Sequence, residues 1–195
     1  MLCYYPQFRE GASPGVVHKL GGLPWGLPMQ LWPICAECGR PMSHLGQFPA
    51  HSSEPNAPAL PIERDEVLFL FKCEWDSVCS FWDFADGANS VFSLPRRELG
   101  NAPTQPPAIE AQDGGEELRV LPELGVARWV ERDDGTPAEL EASFYDYGLH
   151  SDLPNDIAHP HDWASEWRTK FGGAPYWTAN GAQGQPSIPP GRLLL

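Results

Sequence analysis

The residues with the clearest chemistry are cysteines. Cys35-Ala36-Glu37-Cys38-Gly39 sets two thiols two residues apart and follows them with a glycine. That spacing lets both thiolates turn toward one ion, and the glycine permits the tight knuckle. Zinc takes four such ligands in a tetrahedron. Cys73 and Cys79 offer the second pair, with Glu74, Trp75 and Asp76 inside a gap wider than a standard knuckle. The expectation is a structural Zn2+ held by Cys35, Cys38, Cys73 and Cys79. Two readings stand beside it. The cysteines could be free and buried, or Cys35 and Cys38 could be a redox pair, although no βαβ pattern surrounds them. A closed four-thiolate site has no open coordination position, so zinc there stabilises and does not catalyse. Cys3 is left over without a role.

Other constellations are weaker. His159-Pro160-His161-Asp162, with His150 and Asp152 nearby, could supply metal ligands. Pro160 spaces the two histidines in a loop, however, and no third-ligand spacing follows. A surface or helix-start reading is therefore favoured over a metal-dependent hydrolase. His18 and His44 are isolated. No Gly-x-Ser-x-Gly, P-loop or dinucleotide fingerprint occurs. The protein is expected not to be an enzyme.

The elements that must position these cysteines are mostly strands. Val67 to Phe71 is a short continuous apolar run, as in a strand buried on both faces, and it delivers Cys73. Phe81 to Phe84 and Ser90 to Leu94 flank the turn signal Asp86-Gly87. Leu118 to Leu121 and Val126 to Val130 read as a pair joined by a turn at Gly125. Ala138 to Tyr147 and His161 to Lys170 are helix candidates. His51 to Pro58 and Asn101 to Glu117 read as loops. The 22 Pro and 19 Gly disfavour a helical bundle. The expected fold is mainly β (a β-rich α+β protein), with two pseudo-repeated lobes and one or two short helices. The lobes are drawn at 1–100, carrying the cysteines, and 118–195, which is acidic, with 101–117 as the linker or long loop.

The two-lobe expectation rests on an internal repeat. Lys19-Leu20-Gly21-Gly22-Leu23-Pro24-Trp25 recurs as Lys170-Phe171-Gly172-Gly173-Ala174-Pro175-Tyr176. A Gly-Gly-x-Pro segment combines free backbone with a fixed φ, which suits a sharp turn beside an edge strand. The second copy runs into Leu193-Leu194-Leu195. That apolar stretch is expected either to pair inside the fold or to continue into a longer protein.

Charge narrows the function classes. The chain has 26 acidic and 13 basic residues, a net charge of -13. Residues 110–166 hold 15 acids against 3 bases, net -12. Such a surface repels phosphates, so direct binding to nucleic acid or an anionic membrane is not expected. The acidity points instead to a basic protein partner, or only to solubility as a solvated acidic face. The first residues lack a basic segment and an apolar run of the signal-peptide kind. No stretch approaches the roughly 20 apolar residues of a spanning helix. The five cysteines, an odd number, suit a reducing compartment. The expected location is the cytoplasm.

In order, Lys19-Leu20-Gly21-Gly22-x-Pro24, Cys35-x-x-Cys38-Gly39-Arg40-Pro41-Met42, Leu45-x-Gln47, the strand at 67–71, Cys73 and Cys79 form a pattern. It resembles the N-terminal part of programmed-cell-death-protein-2-like proteins and the bacterial YwqG-like family of unknown function. The cysteine pairs match the former more closely. The likeness covers about residues 17–94, and 168–195 as the second copy. His44 and Gly46 depart from the more apolar residues usual before the Gln, and the second copy lacks cysteines. The resemblance implies a β-rich, pseudo-duplicated fold without an enzymatic site, and two kinds of role. One is an immunity protein that blocks a basic bacterial toxin, a nuclease foremost. The other is a chaperone for a basic ribosomal protein. The immunity role is the main expectation. Its partner-binding candidates are Asp133, Asp134, Glu139, Glu141, Asp146, Asp152 and Asp156, with Trp129, Tyr145 and Tyr147 as aromatic anchors.

Overall fold

A computed structural model describes residues 1–11, 14–75, 79, 87–108, 118–146, 148–149, 152–154 and 169–173. The expected strand at 81–84, all but the last two residues of the helix expected over 161–170, and most of the second copy's tail lie outside these residues. So do His150, Asp156, His159, His161 and Asp162, Tyr147, and half of the expected linker.

The fold is mainly β, as expected. Among the described residues seven strands run through it: β1 (Leu2–Glu10), β2 (Lys19–Leu20), β3 (Ser43–Pro49), β4 (Glu66–Lys72), β5 (Asn89–Pro95), β6 (Leu124–Asp133) and β7 (Phe171–Gly172). One short helix, α1 (Glu141–Tyr145), follows a 3-10 turn at Ala138–Leu140. It falls inside the helix expected at 138–147. Among the described residues, no helix is long and apolar enough to cross a membrane.

The chain groups into two compact units. One comprises Phe8–Glu54 and Ile62–Ala127. The other comprises Met1–Gln7, Pro55–Pro61 and the described residues of Arg128–Leu195. The division between the units falls inside β1 and inside β6, whereas the expected linker was placed at 101–117.

In the first unit the strand order is β5-β4-β3-β2-β6, with β5/β4, β4/β3, β3/β2 and β2/β6 antiparallel. β4 is apolar at every position from Val67 to Phe71, and all five residues are buried. That is the outcome expected of a continuous run of β-formers between two neighbouring strands. Phe69, Phe71, Val67, Trp32, Met42, Leu27, Cys35, Cys73 and Cys79 form one core, with Cys38 packed against it. Phe92 of β5 stacks on both Phe69 and Phe71, adding aromatic packing across the strand pair. Gly125 is not a turn residue. It lies inside β6 and pairs with Lys19, and residues 118–121 form no strand. A glycine in a strand was misread as a break because it has no side chain to show an alternation.

In the second unit β6 is followed in the sheet order by β1 and then β7. β7 pairs antiparallel with β1 through Cys3↔Gly172 and Tyr4↔Phe171. Trp129 of β6 is 1% exposed and meets Phe171 edge to face at 5.2 Å. β1 was not anticipated, because Pro6 interrupts its run of β-formers. Pro6 lies beyond the two β1 residues that pair with β7.

The glycine pairs of both copies adopt left-handed φ. Gly21 and Gly22 have φ of 60° and 62°, and Gly172 and Gly173 have 72° and 70°. These left-handed pairs require glycine on conformational grounds. In each copy the second glycine faces a carboxylate: a Cβ would lie 2.2 Å from Glu123 Oε2 at Gly22, and 2.4 Å from Asp134 Oδ2 at Gly173. The same acids pair with the repeat's lysines, Lys19 to Glu123 at 2.8 Å and Lys170 to Asp134 at 3.7 Å. Contrary to the edge-strand expectation, the first copy enters an interior strand, β2, while the second forms β7 at the end of the order.

Candidate metal centre

The candidate site is built on a hairpin and a strand end. Residues 33–42 fold back on themselves: Met42 N–H donates to the Pro33 carbonyl at 2.9 Å, and Cys35 N–H donates to the Arg40 carbonyl at 2.8 Å. Gly39 closes the knuckle with φ of 70° and donates to the Cys35 carbonyl at 2.9 Å. The hairpin is held from both sides. Trp32 Nε1 donates to the Met42 carbonyl, and Trp75 Nε1 donates to the Pro41 carbonyl. The Arg40 guanidinium lies over the Trp75 ring, 5.0 Å from its centre. Ala36 N–H donates to the Gly87 carbonyl, and Cys73 N–H donates to the Ala88 carbonyl. The chain entering β5 thus anchors both halves of the site.

These elements bring all four expected cysteines together. Their Sγ atoms lie within 4.8 Å of one another, and Cys38 and Cys73 approach to 3.6 Å. Tetrahedral zinc thiolates, with Zn–S of about 2.3 Å, place sulfurs about 3.8 Å apart. Disulfide-bonded sulfurs would be at about 2.0 Å. All four cysteines are free. The cluster is therefore positioned to coordinate a metal ion, and its spacing fits a four-thiolate site.

The local electrostatics are mixed. At Cys35 burial opposes the thiolate, but backbone N–H groups of Cys38 and Glu37 point at the sulfur and hold its pKa below the usual thiol value. Burial pushes the Cys73 thiol up to about 11 and raises Cys79 as well. Without a cation the Cys73 and Cys79 thiols thus resist ionisation; a divalent cation reverses that preference and deprotonates its ligands.

The partner-binding candidates separate by exposure. Asp133, Glu139, Glu141 and Asp152 are exposed, and Asp146 is half-buried. Asp134 is buried and accepts hydrogen bonds from the Met1 ammonium at 2.7 Å and Thr136 N–H at 3.0 Å. Asp133 also contacts the Met1 ammonium, at 3.0 Å, and accepts from Gly135 N–H. These contacts hold its carboxyl below the usual range. Trp129 is core, so it cannot anchor a partner; its indole is spent on Phe171. Asp134 is corrected likewise, being held internally by the Met1 ammonium and Lys170. The Tyr145 side chain lies outside the described residues, as Tyr147 and Asp156 do.

Several residues matter here that sequence reading left aside. Gln47, fully buried, accepts from Trp25 N–H at 2.7 Å and donates to the Val17 carbonyl at 3.2 Å. It thus ties the stretch on either side of the glycine pair to β3. His44 is buried, and its Nδ1–H donates to the carbonyls of Gly21 and Gly22 at 3.1 and 3.2 Å. Burial pulls its pKa down to about 4. His18, also buried, contacts the Pro49 carbonyl at 2.9 Å, and burial lowers its pKa too. Cys3 is buried, and its Sγ donates to the Arg132 carbonyl at 3.4 Å. The only signal for Gln47 was the Leu-x-Gln pattern; His44 carried none.

Compared with known proteins, the chain matches no family model and no curated protein.

Proposed function

We propose that this chain is a non-enzymatic immunity protein, braced by a structural zinc ion, that neutralises a basic toxin through an acidic surface. The observation that carries the reading is the closed donor set. Four sulfurs lie within 4.8 Å of one another, and three of the four cysteines are buried; bound to one ion, they would fill a tetrahedral site and leave no position for substrate. All-thiolate sites suit zinc among the common divalent ions, and the ion would tie the 33–42 hairpin to the end of β4.

Catalysis is thus assigned no place at the metal, and function moves to the surface. Glu131, Asp133, Glu139, Glu141 and Asp152 are exposed within one unit. Toxins that cut nucleic acid carry phosphate-binding Lys and Arg, which such carboxylates would occupy in place of phosphate. The resemblance to the YwqG-like family supports the same reading.

The test uses purified protein and the basic protein encoded beside its gene. Binding is expected at low salt and is expected to weaken as salt rises, because screening shortens the reach of charge. Glu139→Lys with Glu141→Lys should slow association about tenfold or more. Failure to bind, or binding indifferent to both salt and these substitutions, contradicts the acidic-surface reading. Selective capture of a ribosomal protein instead would replace immunity with chaperoning.

A further inference from the structure

The four cysteines are not equivalent. Cys35, Cys73 and Cys79 are buried, whereas Cys38 is partly exposed. Cys38 ends a turn at residues 36–38, outside any strand. Cys73 directly follows β4, and its N–H is held by the Ala88 carbonyl at 2.8 Å. Their sulfurs lie 3.6 Å apart. A disulfide requires about 2.0 Å, so a sulfur displacement of less than about 2 Å joins them. The turn carries the one cysteine of the four that is not buried, and the strand end holds its neighbour beside it.

We propose that Cys38 is an oxidation site for hydroperoxides and that Cys73 resolves it into a disulfide, breaking up the four-thiol centre. The Cys38 thiolate attacks one peroxide oxygen. An S–O bond forms, the O–O bond breaks, and the departing hydroxide or alkoxide takes a proton to become water or an alcohol, giving a sulfenic acid at Cys38. The Cys73 thiolate then attacks the Cys38 sulfur. An S–S bond forms, the S–O bond breaks, and the departing hydroxide takes a proton to become water. Two thiolates supply two electrons, and one peroxide is reduced. Cys35 and Cys79 remain as two ligands, too few to close a tetrahedral site. A thiol reductant reverses the change.

The release of metal in this scheme rests on the zinc reading, whereas the disulfide rests on the sulfur geometry alone. The experiment separates them. The reduced full chain is assayed for zinc and then treated with hydrogen peroxide. Release is followed with a chromogenic chelator, and disulfides are mapped by mass spectrometry. The expected result is a Cys38–Cys73 disulfide as the main product, loss of all bound zinc, and recovery with dithiothreitol. Cys3, buried in the other unit, serves as an internal control and is expected to stay reduced. In Cys73→Ser, the Cys38 sulfenic acid should persist and react with dimedone. The proposal is overturned by any of three results: a predominant Cys35–Cys38 or Cys73–Cys79 disulfide, oxidation of Cys35 as fast as Cys38, or no reaction. A protein that holds no zinc yet forms the Cys38–Cys73 disulfide keeps the oxidation site and removes the zinc reading.

Discussion

The two Lys-x-Gly-Gly segments share a backbone and differ in what secures it. In the first, Lys19 is buried, pairs with Glu123 at 2.8 Å and also donates to the Leu23 carbonyl at 2.7 Å. His44 and Gln47, both from β3, hold the turn from the side. In the second, Lys170 lies 3.7 Å from Asp134, whose other oxygen takes the Met1 ammonium at 2.7 Å. The shared plan is a left-handed glycine pair backed by a carboxylate that the motif's own lysine neutralises. The first copy adds buried polar anchors, and the cysteine hairpin follows it in sequence. A buried polar group is stabilising only while its partners are present. The first copy should therefore be the less forgiving of the two.

The largest expected effect is at the cysteines, which only the first unit's core contains as a cluster. Cys73→Ser should lower stability by about 4 kcal/mol, since metal-binding free energy in such sites is folding free energy. Chemical denaturation of the metal-loaded protein measures it. A loss below about 1 kcal/mol would mean that the cluster does not brace the fold.

Next come the glycines. A Cβ at Gly21 would lie 2.1 Å from the Pro122 carbonyl oxygen, whereas one at Gly172 would lie 2.9 Å from the Leu2 carbonyl oxygen. Both positions have positive φ, so both substitutions carry strain. Gly21→Ala is expected to cost about 3 kcal/mol or more, and Gly172→Ala about 1–2 kcal/mol. Equal losses in thermal or denaturant unfolding would remove the asymmetry between the copies.

A smaller effect is read through pH. His44 is neutral when folded, with its pKa lowered to about 4 from 6.5. Below pH 6.5 the unfolded chain binds a proton that the folded chain refuses. Stability from this residue is thus complete above pH 6.5 and declines as pH falls toward 4. Between about pH 6.5 and 5 the decline should approach about 2 kcal/mol. His44→Phe should flatten that part of the stability profile relative to the unsubstituted protein. An unchanged slope would show that His44 is not the group responsible.

The sequence made the first unit's core readable for a physical reason. Five consecutive apolar β-formers at Val67–Phe71 have no amphipathic alternative, and they deliver Cys73 to Cys35 and Cys38. The cysteines were legible because thiols at knuckle spacing have few other uses. The roles of Glu123, Lys19, His44 and Gln47 were not. Each is an ordinary polar residue whose partner lies far along the chain, and only strand register brings them together. Trp129 was misplaced for a related reason. It sits in an acidic segment, and local charge says little about which face of β6 points inward. Asp134 likewise looks in the sequence like one more surface acid; only the fold places the repeat's own lysine beside it.

In the proposed function, four thiols hold one structural zinc ion. Elemental analysis of protein purified without chelators tests it most directly, with Cys73→Ser alongside. About one zinc per chain is expected for the unsubstituted protein and essentially none for the variant. An unsubstituted chain free of metal, or a variant that retains a full equivalent, would contradict the account.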